Sequence, residues 1–214
     1  MPSIGRRSFL ACGLLGAVAL LSLDLSLHPG AAAQARVGAP APAFALPASN
    51  GRTVSLADFK GKIIVLEWSN HQCPYVGKHY RGNNMQALQK KWTGKNVVWL
   101  TVISSAPGME GYVTAAEANK LTADRNAAPS AVLLDPKGAL GRAYGARVTP
   151  HMFIISADGA LIYAGGIDDT PSAQIEDLKT ARNYIDDTLT ELSQGKPVSA
   201  ARTRAYGCTV KYGS

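Results

Sequence analysis

Three short apolar runs frame this chain: Ile63-Ile64-Val65-Leu66-Glu67-Trp68, Val97-Val98-Trp99-Leu100-Thr101-Val102-Ile103 and Ala131-Val132-Leu133-Leu134. The first two are almost continuously apolar, as central strands covered on both faces are. A loop over 69–72 leads into a predicted helix from about 73 to 92, interrupted near Gly82-Asn83-Asn84. Thr114 and Glu117 are spaced as a capping box for a helix reaching about 125. Asp135-Pro136-Lys137-Gly138 ends the third run as a turn, and a short helix to Tyr144 follows. Residues 152–155 and 161–163 flank Ala157-Asp158-Gly159 and predict a β-hairpin. A final amphipathic helix is expected from Thr170 or later to Leu192, and then a mobile, Gly- and Ser-containing tail. Upstream, 37–47 reads as an extended lead-in with Phe44 its first packing residue, and turns fall at Asn50-Gly51 and Gly61-Lys62. Strand, helix, strand, helix, strand, then hairpin and helix, make an α/β sandwich with a central mixed sheet flanked by helices.

The N-terminus reads as a separate element. Arg6-Arg7-Ser8-Phe9-Leu10 resembles a twin-arginine export signal. The apolar stretch after it, 11–21, is well short of the ~20 residues that span a bilayer. Ala31-Ala32-Ala33-Gln34-Ala35 supplies small residues for signal cleavage near Ala35. An uncleaved anchor or a general export signal are the alternatives, and both also put the body outside the cytoplasm. Cys12 stands at the start of the apolar stretch, where a lipoprotein cysteine would stand at its end. The expected organisation is an export signal over 1–35, one domain over 36–195 and a tail over 196–214. It places the protein in the periplasm with no stable membrane span after cleavage.

Composition narrows the chemistry. The chain has 214 residues and a formal net charge of +7, lowered by one when Arg6, Arg7 and Asp24 leave with the signal. Its basic residues are scattered, so a solvated surface is expected and nucleic acid is not a partner. Of three cysteines, Cys12 departs, leaving Cys73 and Cys208. In an oxidising compartment two thiols form a structural disulfide, a redox couple, or independent free thiols.

Cys73 stands where a buried strand gives way to a helix, with Pro74 at the first helical position. The partial positive charge and free N–H groups of a helix N-terminus stabilise a thiolate. The competing reading is an inert buried thiol, which the polar neighbours Asn70, His71 and Gln72 disfavour. Pro150, in Val148-Thr149-Pro150, precedes the hairpin, where a cis bond would bring a loop beside the cysteine. Thr149 and Pro150 would then offer backbone groups to a peptide-like partner. Glu67 is costly to bury unpaired. It is a candidate acid or base for Cys73, or else an edge-facing or salt-bridged residue. Cys208 is a candidate resolving thiol for oxidised Cys73, a structural staple, or a thiol too distant to meet it. His71 and His79 suggest copper with Cys73, but six helical residues turn His79 through about 600° and away from the cysteine. No cofactor and no resident metal are expected.

Residues 68–76, Trp-Ser-Asn-His-Gln-Cys-Pro-Tyr-Val, together with 148–159, resemble a thioredoxin-superfamily redoxin. More narrowly they are similar to the peroxiredoxin-like branch of the AhpC/TSA and redoxin family. Lys78-His79-Tyr80, the segment from Tyr163 to Asp168 and the segment from Tyr206 to Tyr212 also resemble that branch. The resemblance implies a thioredoxin-like three-layer sandwich, Cys73 as redox centre, and a cis Pro150 preceded by Thr149. It also implies an antioxidant or thiol oxidoreductase whose substrate is a disulfide-bearing protein or a small thiol or peroxide, recycled by an external thiol reductant. Two departures qualify it. Val76 stands where thioredoxins carry a second cysteine, and Asn70 and Leu66 replace the Thr or Ser and the Pro of typical peroxiredoxins. The alternative is a non-catalytic copper- or partner-binding module on a thioredoxin scaffold.

Overall fold

β-branched and aromatic side chains dominate the apolar runs, which suits them to a pleated, buried surface. The computed structural model describes residues 1–2 and 34–213 and folds each run into a strand. In chain order the elements are β1 (Ala45–Pro47), β2 (Thr53–Ser55), β3 (Ile64–Trp68), α1 (Pro74–Arg81), α2 (Asn84–Thr93), β4 (Val98–Ile103), α3 (Ala115–Asp124), β5 (Ala131–Leu134), α4 (Ala139–Tyr144), β6 (Val148–Thr149), β7 (His151–Ile155), β8 (Leu161–Gly165), α5 (Tyr184–Ser193) and β9 (Cys208–Thr209). Short 3-10 turns lie at Leu56–Phe59 and Glu176–Lys179. Nearly all of the expected export segment lies outside the described residues. Among those described, no helix is long and apolar enough to cross a membrane.

The central sheet runs β5-β4-β3-β7-β8. β3, β4 and β5 are parallel, whereas β7 and β8 are antiparallel additions, so the sheet is mixed as expected. Alternation along β3 splits its side chains between two apolar layers. Leu66 and Trp68 join Leu100, Val102 and Phe153 beneath Leu140 and Tyr144 of α4, and Phe44 of the lead-in packs into the same cluster. Val65 faces the opposite layer with Trp99, Met152 and Ile154, covered by Val76 of α1, Met85, Leu88 and Trp92 of α2, and Ile185 and Leu189 of α5.

Local signals explain the breaks. Asn83 takes a left-handed conformation (φ 57°) between α1 and α2, which asparagine tolerates better than most residues. At the start of α3, the Thr114 hydroxyl accepts from the Glu117 amide at 3.3 Å, and the Glu117 carboxylate accepts from the Thr114 amide at 2.7 Å. The last helix is shorter than the sequence pattern predicts. It starts at Tyr184, with the Asn183 side chain accepting from the Asp186 amide at 3.0 Å. Upstream, Asp168 and the Thr170 carbonyl accept inward hydrogen bonds from Lys78, and Asp169 pairs back with Arg182.

The tail also differs from expectation, because it is packed back onto the domain. The Ala164 amide donates to the Ala201 carbonyl at 3.1 Å, and the Gly166 amide donates to the Thr203 hydroxyl at 3.0 Å. β9 pairs antiparallel with β6, setting Val148 opposite Thr209 and Thr149 opposite Cys208. Beyond it the Ala106 amide donates to the Lys211 carbonyl at 2.9 Å, and Arg142 donates to the Gly213 carbonyl at 2.7 Å. A Gly- and Ser-containing composition signals mobility only where such long-range partners are lacking.

Candidate active site

Cys73 is the N-cap residue of α1, with Pro74 following it at the first helical position. It is 1% exposed. Its amide donates to the Asn70 carbonyl at 3.1 Å, and its thiol donates to the Thr149 carbonyl at 3.1 Å. The Thr149–Pro150 peptide bond is cis. Cys73, Thr149 and Pro150, far apart in sequence, therefore meet.

Cys208 joins them. The β6–β9 register sets it opposite Thr149, and its side chain packs against the apolar cluster that holds Cys73. Both cysteines are free thiols, Cys73 buried and Cys208 partly exposed. Burial raises the pKa of the Cys208 thiol, and the neighbouring Cys73 raises it further.

Asn70 and Gln72 shape the rim. The Asn70 side chain accepts from the Gln72 amide at 2.8 Å and donates to Glu110 at 3.1 Å. Gln72 in turn accepts from the Gly111 amide at 2.7 Å. Asn70, standing where typical peroxiredoxins carry a hydroxyl, is thus committed to bracing the turn at Glu110.

Glu67 is 0% exposed and lies under the α1–α2 layer rather than at an edge. Tyr80 donates to one carboxylate oxygen at 2.8 Å; Trp99 at 2.8 Å and Gln89 and Thr101 at 3.2 Å donate to the other. Four neutral donors occupy it, and no salt bridge does. Burial raises its pKa, and the four hydrogen bonds partly oppose the shift. Between the unfolded value of about 4.3 and the raised folded value, the folded state binds more protons. Stability therefore falls as pH rises through that window, and the loss is complete above the folded pKa. A Glu67→Gln variant keeps an acceptor for three of the donors and can donate its NH₂ to Tyr80. It is expected to flatten this decline in urea midpoints measured from about pH 4 to about pH 8; an unaltered slope would contradict the assignment.

Sequence reasoning assigned no role to a second buried cluster beside Cys208. Lys78 donates to Asp168 at 3.1 Å, to the Tyr206 hydroxyl at 2.9 Å and to the Thr170 carbonyl at 2.9 Å. The side chains of Lys78 and Asp168 are 0% and 1% exposed. The Tyr206 hydroxyl also donates to Asp168, and the Tyr206 ring meets Tyr75 edge-on at 5.8 Å. His79 approaches the Tyr206 hydroxyl at 3.3 Å through Nε2 and Asn84 at 2.8 Å through Nδ1. Burial, and then the Lys78 charge, push its pKa down to about 3. His79 is therefore neutral, and its 3.8 Å approach to Asp168 is not an ion pair. The cluster pins Tyr206, two residues before Cys208.

His71 lies apart from it. Its carbonyl accepts from Arg125 at 3.1 Å, and it helps line a cavity of about 30 Å³ with Tyr80, Thr101 and Arg125. Among the described residues no group of three His, Cys, Asp or Glu side chains is placed to hold a metal ion.

Residues 37–164 match the AhpC/TSA family. No curated protein matches the chain. Among solved structures, a hypothetical protein from Sinorhizobium meliloti 1021 is similar at 20% identity and a TM-score of 0.69, over 84% of this chain and 96% of its own. An uncharacterized conserved protein from Geobacillus kaustophilus is similar at 23% identity and a TM-score of 0.70, over 83% and 93%. A putative thiol:disulfide interchange protein DsbE from Chlorobium tepidum aligns at 27% identity over 61% of this chain and 85% of its own, with a TM-score of 0.49.

Proposed function

Because this chain belongs to the AhpC/TSA family, we propose that it is an exported thiol-dependent oxidoreductase with Cys73 as nucleophile and Cys208 as resolving thiol. The observation that carries the reading is the juxtaposition of two free thiols, one at a helix N-terminus and bonded to the Thr149 carbonyl, the other on the strand paired with Thr149. The export part rests on the twin arginine and the alanine-rich segment of the N-terminus.

The chemistry follows from the placement of the two thiols. The Cys73 thiolate attacks one oxygen of a hydroperoxide; the O–O bond breaks, the alkoxide or hydroxide leaves and takes up a proton, and Cys73 becomes a sulfenic acid. The Cys208 sulfur then attacks the Cys73 sulfur. The S–O bond breaks, water leaves with the proton Cys208 has kept, and a Cys73–Cys208 disulfide remains. With a disulfide as oxidant, Cys73 instead forms a mixed disulfide and expels a thiolate, and Cys208 displaces the second thiolate. An external thiol returns the pair to the reduced state. In this reading Glu67 organises the α1–α2 layer, since both of its oxygens are taken by donors other than Cys73.

Intact mass after stoichiometric hydrogen peroxide tests the assignment. Wild type is expected to lose two hydrogens as the disulfide forms, and Cys208→Ser to gain one oxygen as a sulfenic acid. A wild-type protein that gains oxygen, with Cys208 unmodified, would rule out the resolving role.

A further inference from the structure

An extended peptide docks most readily by adding a strand to a free backbone edge. Beside Cys73 that edge belongs to Thr149, and the protein's own tail occupies it. β9 runs antiparallel to β6 with Cys208 opposite Thr149, and the Val210 amide donates to the Arg147 carbonyl at 2.9 Å. Gly207 presses on the same edge. Its φ is +137°, and a methyl group there would overlap the Thr149 carbonyl oxygen, the acceptor of the Cys73 thiol. Only glycine allows both that backbone angle and that approach. On one side of this contact Tyr206 is held by Lys78, Asp168 and His79. On the other, the Tyr212 hydroxyl donates to the Ala146 carbonyl at 2.6 Å, and the Arg142 guanidinium lies over its ring at 4.7 Å.

We propose, building on the thiol-oxidoreductase reading above, that residues 206–210 are a tethered occupant of the edge a peptide disulfide would need, so the reduced protein accepts low-molecular-weight oxidants and excludes peptide-borne disulfides. A peptide must displace a strand that competes intramolecularly, at an effective concentration on the order of millimolar or higher, and whose anchors are buried. A small oxidant has no strand to displace. Solvent reaches the partly exposed Cys208, which packs beside the cluster that holds Cys73, so a small oxidant approaches from that side. In the excluded reaction the Cys73 thiolate would form a bond to one peptide sulfur while the peptide S–S bond breaks and its second sulfur leaves as a thiolate.

The test uses the full reduced chain and two oxidants, hydrogen peroxide and a peptide of about ten residues closed by a disulfide. Gly207→Ala is chosen to lift β9 from Thr149, and Tyr206→Phe loosens the same strand more gently. Thermal melting confirms that each variant is folded, and Tyr206→Phe decides the matter if Gly207→Ala is not. Loss of the Cys73 thiol to the peptide is expected to be at least about tenfold faster in Gly207→Ala than in wild type, with Tyr206→Phe between them. The peroxide rate is expected to move far less. Equal peptide rates in wild type and the folded variants overturn the proposal while leaving the redox reading intact. Failure of wild-type Cys73 to react with either oxidant overturns both.

Discussion

Replacing Cys73 by serine is expected to slow the consumption of hydrogen peroxide and of small disulfides by about three orders of magnitude or more. The thiolate is the attacking species, and a serine hydroxyl beside the Thr149 carbonyl has neither the charge nor the polarisable sulfur. Cys208 does not take over, because burial still raises the pKa of its thiol. The Cys208→Ser variant should behave differently, retaining the first oxidation and losing turnover with an external thiol. Single-turnover oxidation separates the two steps. A Cys73→Ser protein that matches wild type would remove Cys73 from the chemistry altogether.

The second large effect concerns stability. In Lys78→Met, the Asp168 carboxylate is left in a site that is 1% exposed, with the Tyr206 hydroxyl and the Thr170 amide as hydrogen-bond donors and the His79 ring at 3.8 Å. Removing one partner of a buried ion pair typically costs about 3–5 kcal/mol, because the remaining charge stays desolvated. Urea unfolding of Lys78→Met is expected to show a loss of that size. Converting Asp168 to leucine in the same protein should recover most of it, since the pair removed together strands no charge. A single-variant loss below about 1 kcal/mol would mean that water or a relaxed backbone answers Asp168.

Much of this arrangement was legible in the chain. β3 and β4 announce themselves as continuous apolar runs, the Thr114–Glu117 pair marks the start of α3, and Ala157-Asp158-Gly159 marks the hairpin. These signals are local, acting within a few residues. Cys73 before Pro74 and the position of Pro150 are local as well, which is why the core of the site could be placed. The tail could not. Lys78, Asp168 and Tyr206 lie in three separate segments, and nothing in any one of them says that a lysine will be wholly buried or which partners will receive it. Gly207 looks like one more glycine of a loose terminus until its contact with Thr149 is seen. The overlong last helix has a related origin, since the stretch ahead of α5 is folded back on itself between Asp169 and Arg182. Pairing Lys78 with the acidic residue of the Tyr163–Asp168 segment was the available clue, because those fragments and the Tyr206 segment are the ones the family resemblance brought out together.

The anchoring of the tail reaches the electrons as well as the architecture. Disulfide formation between two thiols of one chain is governed by the local concentration of one at the other. In the proposed couple that concentration would be set by Tyr206 in its buried cluster and Tyr212 against Ala146. Each tenfold change in how firmly they seat Cys208 moves the midpoint potential of the couple by about 30 mV. On the proposed reading, residues that are not cysteines would act as a tuning screw for the oxidising strength of the protein, and substitutions among them would shift the potential without altering either cysteine.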